Sequence, residues 1–339
     1  MRVLIVKTSS LGDLIHTFPA ISDAARAIPD ISFDWVAEES FSEIPLLHPA
    51  VDRVIPSAVR RWRKSWFNTW IQGDWRRFRQ LLRGRHYDAV IDAQGLVKSA
   101  LITSRARGTK FGLDKKSARE AQASWFYEKT YAISREQHAV SRIRELFSKV
   151  LDYEYSDMSS DYGLSVIPDD SIDAKTIIFL CATTWPSKRW PLMFWRKLAV
   201  KLTRQGKRIV IPAGNQLERQ FAEHIARGVD EVEVLPPMTL TEMASAIMAC
   251  QAIVAVDTGL AHLATALNRP GVSLYGATSS AYTGTLSPYM WSVQSPYACS
   301  PCLLRHCDKL SGNQVPPCTE TILPDHVIDM VNKQVESAI

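Results

Sequence analysis

RVLIVKTSSLGDLIHTFPAISDAARAI, residues 2–28, decides how the chain is read. RVLIVK is an apolar run of strand length. TSSLGD has the composition of a turn, and LIHTFPAISDAARAI spaces its apolar residues as a helix does. A strand that leads through a short turn into a helix is the repeating unit of a parallel sheet. The same pattern recurs outward from it. SFDWVAE (32–38) and VDRVIP (51–56) read as strands, and an Arg/Trp-rich stretch ending before Tyr87 reads as a helix. YDAVIDAQ (87–94) is a further strand and LVKSALITSRAR (96–107) a further helix. Alternation of this kind predicts a sheet covered by helices on both faces.

The pattern breaks between Tyr153 and Lys175, where Ser, Asp and turn residues dominate. It restarts with TIIFLCA (176–182), RIVIPAG (208–214), EVEVLP (231–236), AIVAVD (252–257) and GVSLYG (271–276), each preceded or followed by a helical segment. A length of 339 residues exceeds what one ordinary core organises. The expectation is an α/β chain of two Rossmann-like doubly wound domains, 1–160 and 176–321, joined by a linker at 161–175. A last helix within 322–339 is expected to pack back on the N-terminal domain. Two such domains facing each other across a cleft would bind ligands beyond the carboxyl ends of their strands.

Composition narrows the classes further. Apolar residues make up 46% and charged residues 22%, so a core can form without disulfide or metal staples. The N-terminal VLIV is too short for a signal peptide, and no window of about 18 apolar residues occurs, so a cytosolic chain with reduced thiols is expected. The net charge is +5, yet Arg60 to Arg85 holds nine Lys/Arg against Asp74 alone, +8 in one stretch. A patch like that suits a polyanionic partner or an anionic membrane surface. Trp62, Trp66, Phe67, Trp70, Trp75 and Phe78 interleave with its cations, which fits base stacking, an interfacial anchor or plain packing.

Four strand-end motifs carry the chemistry. Lys7-Thr8-Ser9-Ser10-Leu11-Gly12-Asp13 follows the first strand, with Gly12 read as permitting a tight turn and Asp13 at the start of a helix. There Asp13 is either a catalytic carboxylate or a helix-dipole partner. Asp257-Thr258-Gly259-Leu260-Ala261-His262 brings a helix N-terminus, a hydroxyl and a glycine together, a combination suited to a diphosphate; Asp257 alternatively reads as an ordinary N-cap. Thr183-Thr184-Trp185-Pro186-Ser187-Lys188-Arg189 crowds two hydroxyls and two cations into one loop. Pro212-Ala213-Gly214-Asn215-Gln216-Leu217-Glu218 offers a carboxylate to ribose hydroxyls. Cys299, Cys302, Cys307 and Cys318 are spaced C-x2-C-x4-C-x10-C, which reads as a loop of reduced thiols or, less regularly, as zinc ligands.

Together, MRVLIVKTSSLGDLIHTFPA, VIPSAVRRWRKSWF, YDAVIDAQGLVKSA and VAVDTGLAHLATAL resemble the heptosyltransferases of lipopolysaccharide inner-core synthesis, in the same order along nearly the whole chain. The tail CSPCLLRHCDKLSGNQVPPC departs from the enteric members nearest to it and is similar to that of related core enzymes.

The resemblance implies a GT-B fold and an inverting transferase. ADP-L-glycero-D-manno-heptose would be the donor and Kdo of Kdo2-lipid A the acceptor, with a heptosyltransferase of a later core step, or another GT-B transferase using a different nucleotide sugar or acceptor, as the alternative. It places the general base on Asp13 and donor contacts on Thr183, Thr184, Lys188, Glu218, Met238, Asp257, Thr258, Gly259 and His262. Acceptor contacts fall on Lys7, Ser10, Gly12, Arg60, Arg61, Arg63, Lys64, Arg119 and His138. It implies no cofactor. With no paired carboxylates beside the donor motifs to hold a divalent ion, no metal requirement is expected. Peripheral attachment to the cytosolic face of the inner membrane follows from a lipid-borne acceptor. A non-catalytic binder of anionic glycolipid or of nucleic acid is the competing class, against which Asp13 and the donor-type loops stand. Nucleic acid is therefore not an expected partner.

Overall fold

The computed structural model describes residues 1–64, 74–155, 160–310 and 315–337. The chain divides into two compact units, Met1–Ser165 and Val166–Ile339.

In the first unit, six parallel strands run β1 (Arg2–Val6), β2 (Ser32–Glu38), β3 (Val51–Ser57), β4 (His86–Asp92), β5 (Arg107–Leu113) and β6 (Lys129–Tyr131), in the sheet order β3-β2-β1-β4-β5-β6. Successive side chains of β1 go to opposite faces, so an all-apolar strand signals burial on both. Leu4 and Val6 join a cluster with Phe78 and Leu82 from the helix Asp74–Arg83. On the other helical layer, Phe18–Ala27 packs against Ala139–Leu151. Phe18 lies 5.5 Å from Trp35, and Phe147 6.4 Å from Phe33, ring to ring. Arg144 and Asp23 tie these two helices by a buried ion pair with Nε donating at 2.6 Å. Removing either partner would strand a charge in the core.

The second unit repeats the plan with β7 (Thr176–Leu180), β8 (Arg208–Ile211), β9 (Val232–Val234), β10 (Ala252–Val256), β11 (Gly271–Tyr275) and β12 (Met290–Gln294), ordered β12-β11-β10-β7-β8-β9 and again parallel. Counted within the unit, this is the same order as in the first. Ile177, Phe179, Val254 and Val272 pack with Trp190, Trp195 and Leu198.

The C-terminal helix, Pro324–Ser337, buries Val327, Ile328 and Val331 in the core of the second unit, and Trp190 Nε1 donates to Ile322 O just before it. Two expectations change. LIHTFPAISDAARAI is two helices, Leu11–Ile15 and Phe18–Ala27, because Pro19 opens the second and cannot continue the first. The Arg/Trp stretch holds the helices Val59–Lys64 and Asp74–Arg83. Trp62, Trp75 and Phe78 form an aromatic cluster against the core, with Trp62 at 5.4 Å from Trp75 and 5.2 Å from Phe78. These rings pack against one another and against the core; Trp66, Phe67 and Trp70 lie outside the described residues.

Candidate functional site

Each sheet reverses its strand order at one point, β1/β4 in the first unit and β7/β10 in the second. At such a point neighbouring strands send their connections to opposite faces and leave a crevice at their carboxyl ends. The loops after these four strands carry most of the predicted site residues.

After β1 the chain enters Lys7–Ser10 and then the helix Leu11–Ile15. Asp13 is the third residue of that helix, and its two oxygens do different work. Oδ2 accepts the Ser10 backbone N–H at 2.8 Å and the Ser10 hydroxyl at 3.1 Å, closing the first turn. Oδ1 accepts Arg119 Nη2 at 2.8 Å and lies 4.0 Å from Lys7 Nζ. Burial alone would raise the Asp13 pKa. The Lys7 and Arg119 charges and the Ser10 N–H outweigh it and hold the carboxyl well below the usual carboxylate range. Lys7 is 4% exposed, donates to Ala93 O at 2.7 Å, and is lowered by burial to about 8. Gly12 is a buried helical residue, not a turn glycine.

The β4 loop clamps this arrangement. Gln94 Oε1 accepts both Thr8 N and Thr8 Oγ1, while its Nε2 donates to Ser9 O. Asp92 accepts from Gln94 N, Gly95 N and Tyr127 OH, and burial pushes its pKa up. Arg119 is held from behind: Arg142 donates to Ser117 O at 2.9 Å and Arg135 to Ala118 O. Arg142 Nε is buried with no partner, and burial together with the Arg119 and Arg135 charges lowers its pKa. Sequence pattern gives no sign of Arg135 or Arg142 as site residues, because they come from a loop and a helix some 20 residues further on.

His138 caps the helix Ala139–Leu151, its Nδ1 accepting from Val140 N, and its ring stands edge-on to His16 at 5.8 Å. Arg60 lies over the Phe41 ring at 5.3 Å. Arg61 is paired with Glu39 and Asp74, so part of the +8 patch is neutralised locally. Arg63 and Lys64 end the helix Val59–Lys64, and their side chains lie outside the described residues.

In the second unit, Asp257 ends β10 and precedes the helix Gly259–Ala266, whose N-cap is Thr258. It is therefore not the N-cap itself. Lys188 Nζ sits 2.6 Å from its Oδ2, Thr278 Oγ1 donates to the same oxygen, and His262 Nε2 is 3.8 Å from Oδ1. Burial would raise the Asp257 pKa, but His262 and Lys188 hold it well below the carboxylate range. Thr258 makes no side-chain cap, which leaves the first amides of the helix available to an anion.

Beside this, Met238, Leu260, Pro212 and Leu180 line an apolar slot of about 170 Å³, at whose edge stands Glu218. Glu218 Oε2 accepts Gly214 N at 2.8 Å. Glu218 also borders a second cavity of about 540 Å³, where Thr183, Thr184, Asn215, Arg189 and Arg305 stand beside the apolar Leu217 and Phe221. Arg189 and Arg305 join the expected donor residues there. Apolar walls for a flat ring, a carboxylate for hydroxyls and a lysine beside free amides fit a nucleoside diphosphate.

All six cysteines are free thiols. Cys318 is buried, and its thiol is pushed up to about 11 by burial and then by Cys299, Cys302 and Cys307. Among the described residues no group of three or more His, Cys, Asp or Glu is placed to hold a metal ion. Nor is any of their helices long and apolar enough to cross a membrane.

The family model described as glycosyltransferase family 9 (heptosyltransferase) matches residues 75–311. Lipopolysaccharide heptosyltransferase 1 of Pseudomonas aeruginosa is 49% identical over 310 residues, 91% of this chain and 87% of that protein. Among solved structures, Escherichia coli heptosyltransferase WaaC with ADP superposes with a TM-score of 0.87 at 42% identity, covering 98% of this chain and all of that one. WaaC with ADP-2-deoxy-2-fluoro heptose gives 0.84 at 42% identity, with 98% and 99% covered.

Proposed function

The chain belongs to glycosyltransferase family 9, the heptosyltransferases, with the two Rossmann-like units of a GT-B transferase, and from that premise we propose that it moves L-glycero-D-manno-heptose from ADP-heptose to Kdo of Kdo2-lipid A. The observation that carries the donor half is the convergence, at one switch point, of the Met238/Leu260 slot, Glu218, Lys188 and the uncapped amides of Gly259–Ala266. Adenine fills the slot and Glu218 accepts the ribose hydroxyls. Lys188 and the amides take the diphosphate, whose charge grows as it leaves; preorganised donors aimed at that charge serve in place of a divalent ion. Asp257, with His262 and Thr278 behind it, positions Lys188. Thr183 and Thr184 contribute hydroxyls to the same anion.

Asp13 is the general base. An alcohol becomes a competent nucleophile as its proton is accepted. Asp13 has an oxygen free of the helix cap and is ionised at neutral pH. Its basicity rises on acceptor binding: a sugar-acid carboxylate that engages Arg119 draws that cation away from Oδ1. Direct displacement by the activated hydroxyl inverts the anomeric centre. Lys7, Ser10, Gly12, His138 and the cations Arg60, Arg61, Arg63 and Lys64 serve the acceptor, whose lipid anchors the reaction to the cytosolic face of the inner membrane.

The test is incubation with ADP-heptose and delipidated Kdo2-lipid A, followed by product mass and anomeric configuration. One added heptose of inverted configuration is expected. A heptose added only to an acceptor that already carries one would assign the chain to a later core step, and no product on any Kdo acceptor would sink the proposal.

A further inference from the structure

The segment 299–307, which carries three of the four clustered cysteines, has no place in the reaction described so far, yet it is strapped to the donor side of the second unit. Ser300 Oγ donates to Gly276 O at 2.7 Å, and Leu303 N donates to Ala277 O at the same distance. Cys318 lies so close behind Gly276 that a Cβ there would meet its Sγ at 2.9 Å. On the opposite edge, the buried Ser187 donates its hydroxyl to Leu304 O at 2.6 Å and its N–H to Arg305 O at 3.4 Å. The loop thus spans from the end of β11 to the turn that carries Lys188. Leu303 adopts φ 59°, a left-handed conformation held by the contacts on either side of it. The result is that Arg305 borders the second cavity with Thr183, Thr184 and Arg189.

We propose that this loop is a built part of the donor site and that Arg305 is a diphosphate contact which the loop delivers to Thr183 and Thr184. Two guanidinium groups and two hydroxyls around one cavity match phosphate oxygens in charge and in donor geometry. Among the described residues no ion pair to Arg305 is formed, and Glu218, the carboxylate that also lines this cavity, is engaged by Gly214 N at 2.8 Å. The inference rests on the second unit being the donor site.

Binding of ADP, AMP and adenosine to the full chain by calorimetry tests it. For Arg305→Ala, ADP should bind about tenfold more weakly, as expected for one charge-assisted hydrogen bond. Adenosine should be unchanged and AMP affected less than ADP. Arg305→Lys should retain part of the ADP affinity, and Ser187→Ala, which frees the loop edge, should lose part of it without touching adenosine. Unchanged ADP affinity in Arg305→Ala would overturn the proposal. So would an equal loss of ADP and adenosine, which would mean that the loop only shapes the pocket. Wild-type protein that binds neither ADP nor adenosine would instead bring down the donor reading on which this inference rests.

Discussion

The two switch points share a motif and use it oppositely. Each sets a lysine from the loop after the unit's first strand beside an aspartate. In the first unit Lys7 and Asp13 stand 4.0 Å apart, and Lys7 is committed to Ala93 O. In the second, Lys188 and Asp257 are at 2.6 Å, with Thr278 on the same carboxylate oxygen. Asp257 is saturated and acts as a support. Asp13 retains an oxygen whose partners, Arg119 and a distant lysine, can turn to an incoming anion. One sheet order thus yields two different lysine–aspartate arrangements, and the separation within the pair matches the proposed division into a base in one unit and a phosphate holder in the other.

The sharpest way to break this comparison is Asp13→Asn. The amide oxygen can still accept the Ser10 N–H, so the helix cap and the fold should survive, while proton acceptance is lost. Turnover should fall by about 10²–10⁴, with ADP affinity unchanged. Near-normal turnover from a folded variant would remove Asp13 as the base. Lys188→Ala should show the complementary pattern: ADP-heptose affinity and turnover fall together, by about 10² in kcat/KM, with the acceptor KM untouched. Steady-state kinetics with each substrate varied separates the two. If Asp13→Asn weakened ADP-heptose binding, or Lys188→Ala left it intact, the division of labour would be wrong.

How far the sequence carries this picture depends on where each residue is buried. TIIFL and AIVAV are buried at every position, and such strands read as continuous apolar runs. β5 (RGTKFGL), β6 (KTY) and β12 (MWSVQ) are only partly buried and carry polar residues, with two glycines in β5, so no apolar run marks them. Gly108 has a local reason that no pattern reveals: a Cβ there would lie 2.1 Å from Tyr87 O on the neighbouring strand. The site divides the same way. Lys7, Asp13, Lys188 and Asp257 are legible because they fall just after strands. Arg135, Arg142 and Arg305 are placed by contacts between segments far apart in the chain, whereas Arg189 shares the legible loop of Lys188. Arg63 and Lys64 rest on the resemblance alone.

A smaller effect probes the lysine of the first pair. Burial lowers the Lys7 pKa to about 8, so its charge is lost within the assay range. If that charge helps to hold the acceptor anion, kcat/KM for the acceptor should drop about fivefold between pH 8 and pH 9, following the protonated fraction. Lys7→Arg should flatten the profile, and ADP affinity should not follow it. The stability linkage has the opposite slope. The folded pKa is depressed below the unfolded value, so the unfolded chain binds more protons between about pH 8 and 10.5, and the Lys7 contribution to stability improves as pH rises through that window. A pH profile of acceptor kcat/KM that is flat in the wild type would take Lys7 out of acceptor binding.

The mildest test asks whether the first site depends on backbone alone. Gly95 has φ 68°; its N–H donates to Asp92 at 2.9 Å and its carbonyl accepts Glu120 N at 3.0 Å. A Cβ there would touch Ala118 Cα and Arg119 N at 3.4 Å, the segment that presents Arg119 to Asp13. Alanine can adopt this conformation only with strain of about 1 kcal/mol. For a unit of this size that is a melting shift of about 2–4 °C. That strain falls on the turn that packs against the segment carrying Arg119. Gly95→Ala should therefore weaken acceptor kcat/KM by a few-fold, while ADP binding, which uses the other unit, stays as it was. A lowered melting point with acceptor kinetics intact would show that the Arg119 carrier tolerates displacement, and that Asp13 does not rely on its guanidinium partner being held in place.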